Sequence, residues 1–289
     1  MKITGFTFIR NAIKFDYPVV ESIKSILSIC DDFIVAVGNS EDNTRTLVSS
    51  ISPKIKIIDT IWDDSLRIGG KVLAEETNKA FRAINSDSDW AFYIQGDEVV
   101  HEKYLDTIYS EAQKWNSTPQ VDGLLFKYLH FYGSYNYVGI SSRWYRNEIR
   151  LIRNNKSIYS YRDAQGFRKD NDLKLNVKPI DAYIYHYGWV KNPVKMQSKQ
   201  KTFHKMWHSD EWLEQNISKQ DEFNYNQIDA LSKFQGTHPE VMMERIKNQD
   251  WNFDYDISFN NFKFKDKLKN LANQLLGIEL GIYKNYKII

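Results

Sequence analysis

The segment Trp90-Ala91-Phe92-Tyr93-Ile94-Gln95-Gly96-Asp97-Glu98 decides the fold. Its apolar run is too short for a helix and reads as a buried strand, and the polar turn after it places two carboxylates where that strand ends. A buried strand needs helices to cover it, so the flanking sequence should alternate between the two kinds of element. Upstream it does. Leu73, Thr77, Ala80, Phe81 and Ile84 form a helical stripe, and Ile55 to Ile58 is a short strand after Pro53. A helix through Thr44 to Ile51 precedes it, and Phe33 to Val37 is a second apolar run bounded by Asp31-Asp32 and Gly38-Asn39. Pro18 opens a helix whose Val19, Val20, Ile23, Ile26 and Leu27 share one face, and Ile3 to Ile9 is the first strand. The order through residue 98 is βαβαβαβ, which predicts an α/β fold with a mostly parallel central sheet. Ligands of such sheets bind beyond the carboxyl ends of the strands.

Downstream of the turn, a helix is expected around Glu102 to Trp115. Short strands then follow, among them Gly123 to Phe126, Glu148 to Arg153 and Tyr183 to Tyr187, joined by long aromatic loops. From Pro193 the pattern is helical and polar, with a break near Gly236 to Pro239. These readings divide the chain into a nucleotide-binding domain over residues 1–190 and a mainly helical C-terminal extension over 191–289. Within the first, the alternating strands and helices fill about residues 1–100, and the aromatic segments about 101–190, where an acceptor side is expected.

The 289 residues are 42% hydrophobic and 26% charged, enough to bury one large core, and nothing in the balance suggests disorder. A formal net charge of +2 gives no electrostatic reason to expect a nucleic-acid partner. A single cysteine, Cys30, excludes an internal disulfide and a cysteine-rich metal site, and it fits a reducing, cytoplasmic setting. The N-terminus runs straight into a strand without the apolar core of a signal peptide. The last segment, Lys263 to Ile289, sets six lysines beside Phe, Leu and Ile. It reads either as a peripheral contact with the inner face of a membrane or, preferably, as a helix docked on its own domain.

The chain carries 8 Trp, 18 Tyr and 16 Phe, concentrated after about residue 90 among Arg, Lys, His and Asn. Aromatic faces of this kind stack on sugars, and they also fill ordinary cores, which is the favoured reading. No G-x-G-x-x-G follows the first strand, Gly69-Gly70-Lys71 lacks the remainder of a P-loop, and G-x-S-x-G, H-E-x-x-H and paired C-x-x-C motifs are absent. What remains is a nucleotide fold with acids at strand ends. A hard divalent cation binds through one or two carboxylates together with substrate phosphates, so the turn after Ile94 suits a metal–diphosphate complex, with Asp97 the stronger ligand. The competing reading is that Asp97 and Glu98 cap the helix that follows.

As an ordered set, FTFIRN (6–11), IVAVGNSEDNT (34–44), LAEETNKAF (73–81) and WAFYIQGDEVVHE (90–102) resemble the inverting bacterial glycosyltransferases of the GT-A fold. The likeness continues through RLIRN (150–154), YSYRDAQGFR (159–168) and YIYHYGWV (183–190), which look like motifs of the branch that builds surface glycans and lipopolysaccharide cores. The resemblance implies a GT-A, Rossmann-like nucleotide-diphospho-sugar transferase fold, a nucleotide-sugar donor and a glycan or lipid-linked saccharide acceptor. It also implies a divalent metal, Mg²⁺ or Mn²⁺, on Asp97, the last acid of a D-x-D-like turn whose first acid is here Gln95. His186 corresponds to a position that contacts the metal or the diphosphate.

Asp163 matches the position of the family's catalytic base, which would take the proton of the acceptor hydroxyl. A turn aspartate paired with Arg162 or Arg168 is the plainer alternative. Arg10 and Asn11 end the first strand, and Asp42 and Asn78 match positions around the nucleotide. Arg150 and Arg153 could clamp a diphosphate, or could form surface salt bridges. Lys71 could approach the phosphates from the start of its helix. Gly38 stands where an acid often reads the base. A nucleotidyltransferase is disfavoured by Arg10-Asn11-Ala12 in place of a glycine-rich turn, and a relative that binds carbohydrate without turnover is the second alternative.

Overall fold

The computed structural model describes residues 1–66, 68–205, 211–212, 215, 220–258, 262 and 284–289. The expected alternation is present as β1 (Ile3–Ile9), α1 (Val19–Leu27), β2 (Asp32–Gly38), α2 (Thr44–Ser49), β3 (Ile55–Thr60), α3 (Lys71–Arg82) and β4 (Trp90–Tyr93). The four strands are parallel in the order β3-β2-β1-β4. Period-two alternation sends successive side chains to opposite faces. Phe33, Val35 and Val37 therefore pack with Val19, Ile23 and Ile26 of α1, while Ile34 and Ala36 join Val72, Ala80 and Phe81 of α3 on the other side.

After β4 the chain forms β5 (Glu98–Val100), a 3₁₀ turn and α4 (Leu105–Trp115). Then come β6 (Gly123–Tyr132), β7 (Ser134–Gly139), β8 (Asn147–Arg153), β9 (Ile158–Tyr161), β10 (Gly166–Lys169) and β11 (Leu173–Trp189). The sheet continues β4-β8-β6-β11-β10-β9. The all-parallel order ends at β4: β8 runs antiparallel to both β4 and β6, so the second half is mixed. In place of the expected short strands, β6 and β11 are long, paired to each other with register shifts between Pro179 and Tyr183 and between His186 and Trp189. Proline cannot donate to a ladder, and such a shift is how a long strand accommodates it. The aromatic loops of the sequence reading are thus largely strand. Phe131 stacks on Tyr187 with ring centroids 4.7 Å apart, and Tyr132 on Trp189 at 5.9 Å, which makes these rings core.

In the last third, α5 (Pro193–Lys205) and α6 (Met243–Lys247) are helical as expected. Two short strands also join the sheet there: β12 (Leu231–Lys233) beside β7, and β13 (Tyr286–Ile288) beside β11. The end of the lysine-rich segment is therefore strand rather than helix, and its residues 263–283 lie outside the described residues. No helix among the described residues is long and apolar enough to cross a membrane.

Candidate active site

The carboxyl ends of β1 and β4 open into a cleft of about 800 Å³. Arg10, Asn11, Gln95 and Asp97 line its sheet side. Asp163 and Gln165 from the loop between β9 and β10, with His186 and Gly188 of β11 and Lys199 of α5, line the rest. The turn after β4 is fixed by its own atoms. Glu98 N–H donates to the Gln95 carbonyl at 3.0 Å, Gln95 N–H donates to Glu98 Oε2 at 3.1 Å, and Ser22 Oγ–H donates to the Gln95 carbonyl at 2.8 Å. Tyr187 N–H donates to the Asp97 carbonyl at 2.8 Å, which leaves the Asp97 carboxylate facing the cleft. The capping alternative falls here, because Glu98 is in β5 and the following 3₁₀ turn is capped by His101, whose Nδ1 accepts from Lys103 N–H at 3.3 Å.

Asp97 Oδ2 lies 3.3 Å from Lys199 Nζ, and Oδ1 lies 3.8 Å from His186 Nε2. Burial would raise its pKa, but the charge of Lys199 holds it at about 2. The close approach requires a glycine: a Cβ on Gly188 would stand 2.7 Å from Asp97 Oδ2 and 2.8 Å from His186 Nε2.

The tautomer of His186 follows from its neighbours. His130 Nε2 lies 2.8 Å from the Tyr145 carbonyl, which can only accept, so Nε2 carries a hydrogen. Burial drives His130 well below the usual histidine range and keeps it neutral, so its Nδ1 accepts from His186 Nδ1–H at 3.2 Å. Burial likewise lowers the pKa of His186, and its Nε2 is left as a lone pair beside Asp97.

Asp97 and His186 are thus brought together as the sequence suggested, but they do not fit a divalent ion. One carboxylate oxygen already holds an ammonium, and the Gln95 amide nitrogen donates to Tyr93 Oη at 3.2 Å and to the Ala164 carbonyl at 3.3 Å. Among the described residues no three His, Cys, Asp or Glu side chains converge on one point. A hard cation can draw its remaining ligands from substrate phosphates and water, so what stands against it here is the ammonium already on the Asp97 carboxylate.

Asp163 sits in a four-residue loop flanked by Arg162 (φ 55°) and Ala164 (φ 63°), both left-handed, a strained backbone that turns its side chain toward the cleft. Burial raises its pKa above the ordinary carboxylate value against the pull of nearby backbone amides. Asn78 anchors this hairpin. Its Oδ1 accepts from Ser160 N–H at 2.7 Å and its Nδ2 donates to the Ser160 carbonyl at 3.0 Å, so it acts behind the cleft wall.

Arg10 lies on the wall over Trp62, 5.4 Å from the ring centroid, and donates through Nε to the Asn39 carbonyl at 3.1 Å. Asn11 is left-handed (φ 54°), and its Oδ1 accepts from Glu41 N–H at 2.7 Å. Asp42 accepts from Lys14 N–H at 2.8 Å and Thr44 N–H at 2.9 Å, tying together the loops after β1 and β2 from outside the cleft. Lys71 is exposed at the start of α3, where Val72 and Leu73, not the lysine, reach the cleft.

Like Asp42, Asn78 and Lys71, the two arginines expected at the diphosphate stand off the cleft. Arg150 is fully buried and pairs with Glu98 instead of facing a diphosphate. Arg153 stacks 4.0 Å over Trp90, the first residue of β4, and donates to the carbonyls of Val121 and Thr118. That is the opposite end of β4 from Asp97. Lys199 was not legible in the sequence: it belongs to a polar helix whose pattern marks no buried position.

No protein-family model and no curated protein matches the chain. Among solved structures, S. aureus TarS is similar at 15% identity over 70% of this chain and 39% of that one, with a TM-score of 0.43. This chain therefore spans about two fifths of that protein's length. TarS 1-349 in complex with UDP-GlcNAc is 14% identical over 76% of this chain and 68% of that one, with a TM-score of 0.41. Glucosyl-3-phosphoglycerate synthase from Mycobacterium tuberculosis, in complex with Mn²⁺, UDP and phosphoglyceric acid, is 15% identical over 45% of this chain and 43% of that one, with a TM-score of 0.31.

Proposed function

We propose that the chain is a glycosyltransferase that moves a sugar from a nucleotide-sugar donor to an acceptor hydroxyl with inversion at the anomeric carbon. The observation that carries this reading is a pair of carboxylates of opposite character on one cleft beyond the parallel strands. Asp97 is held ionised by the Lys199 ammonium, and Asp163 is raised in pKa on the facing hairpin. In this reading the nucleoside lies along the ends of β1 and β2 near Arg10 and Asn11, and the diphosphate reaches toward Lys199. Asp163 accepts the proton of the acceptor hydroxyl as its oxygen bonds to the anomeric carbon. The bond from that carbon to the diphosphate oxygen breaks in the same displacement, and the nucleoside diphosphate leaves. A carboxylate with a raised pKa is the better base for that step.

By the motif resemblance, the acceptor is a cell-surface glycan or lipid-linked saccharide, assembled in the cytoplasm. Residues 1–190 carry both substrates and 191–289 extend the domain, contributing Lys199. The test is thermal stability against UDP, GDP, CDP, ADP and dTDP and their sugars. The expected result is selective stabilisation by one nucleoside diphosphate and its sugar conjugates. If no nucleotide shifts the melt while glycans do, the chain is a carbohydrate-binding relative without turnover.

A further inference from the structure

We infer that Lys199 is the resident cation of the donor site, supplying to the diphosphate the positive charge that a divalent ion would otherwise bring. The inference rests on the donor-site reading of the cleft. The Lys199 ammonium is fixed from two sides, 3.3 Å from Asp97 Oδ2 and donating to the Gly188 carbonyl at 3.0 Å, and it stands 4.8 Å from the Tyr17 ring centroid. It is 9% exposed and lines the cleft. Held this way, it carries a full charge without the entropy of ordering a free lysine on binding.

Asp97 in this arrangement is an anchor for the ammonium rather than a metal ligand. That explains why Gln95, which cannot supply a second charge to an ion, is tolerated two residues earlier, its amide spent on Tyr93 Oη and the Ala164 carbonyl. A second lysine is buried nearby, and burial drives its pKa well below the usual lysine range. Lys191 lies 4.7 Å from the same Tyr17 ring and donates to the Asp16 carbonyl at 2.5 Å. A dication entering beside Asp97 would meet the Lys199 ammonium, and like charges in a site of low dielectric repel strongly.

The experiment is calorimetric binding of UDP, GDP, CDP, ADP and dTDP to the whole chain, in EDTA and in Mn²⁺. The same titrations are run on Lys199→Met and on the double variant Lys199→Met with Asp97→Asn, which removes the buried charge pair together and protects the fold. The expected result is that the preferred nucleotide binds the wild type equally in both buffers, while both variants lose about tenfold or more in EDTA, as for a lost charged contact. Wild-type binding that collapses in EDTA would overturn the inference while leaving the donor site standing, as would a folded double variant that binds as tightly as wild type. If no nucleotide binds in either buffer, the donor-site reading itself fails, and the inference with it.

Discussion

Arg150 grips Glu98 at two points, Nη2 to Oε1 at 2.7 Å and Nε to Oε2 at 2.8 Å, with both side chains wholly out of solvent. Tyr128 Oη–H donates to Glu98 Oε1 at 2.7 Å, and the guanidinium donates onward to the Gln165 carbonyl at 3.0 Å. The pair thus ties β5 and β8 to the loop carrying Asp163. Breaking one half of such a pair strands the other charge, at a cost of about 3–5 kcal/mol. Arg150→Met should therefore lower the unfolding free energy by about that amount in urea, and adding Glu98→Gln should recover part of it. Unchanged stability with loss of nucleotide binding would return Arg150 to the donor site.

Asp163 should separate binding from turnover. Asp163→Asn keeps the size and the polar contacts and removes the basicity. It should bind the donor nucleotide like wild type and lose about 10²–10⁴ in kcat, the usual share of a general base. Normal transfer by this variant would remove Asp163 from the chemistry.

The first half of the fold was legible because its signals are local. Each strand and helix from Ile3 to Tyr93 announces itself by its own periodicity, and a parallel sheet follows from the alternation alone. The other half depends on pairings far apart in the chain. Nothing near RLIRN shows that Arg150 finds its counter-charge 52 residues away in sequence, or that β11 accommodates Pro179 and still runs to Trp189. The site divides in the same way. Asp97 is visible because it closes a strand, whereas Lys199 reaches Asp97 across 102 positions, a contact that only the folded chain defines.

Glu148 gives the protein a pH signature. It is 4% exposed, its Oε1 accepts from Gln165 Nε2–H at 2.9 Å, and its Oε2 has no hydrogen-bond partner. Burial raises its pKa to about 7, against the opposing charge of Arg150. The folded state therefore holds a proton that the unfolded chain releases near its ordinary pKa. The stability linked to this proton is complete below that ordinary value and is lost as pH rises through about 7. Glu148→Gln removes the titration. The difference in unfolding free energy between variant and wild type should shift in the variant's favour by on the order of 2–3 kcal/mol from pH 4 to pH 8. Comparing the two proteins cancels the histidines that titrate in the same range, and a pH-independent difference would show that Glu148 is already ionised in the fold.

Gly188 tests whether the cation at the floor of the cleft depends on a backbone without a side chain. An alanine Cβ would intrude on both Asp97 Oδ2 and His186 Nε2, and neither can swing freely. Lys199 holds the carboxylate, and the hydrogen bond from His186 Nδ1 to His130 holds the ring. The least costly relief is for the carboxylate to leave the ammonium. Gly188→Ala should then cost about 1–3 kcal/mol of stability, as overpacking commonly does, and weaken nucleotide binding about tenfold through the loosened Lys199. Because the change adds only a methyl group and removes no charge, loss of binding in a folded Gly188→Ala protein would locate the effect in the geometry of the Asp97–Lys199 pair. Retained affinity would mean that the diphosphate is held elsewhere along the cleft, nearer Arg10.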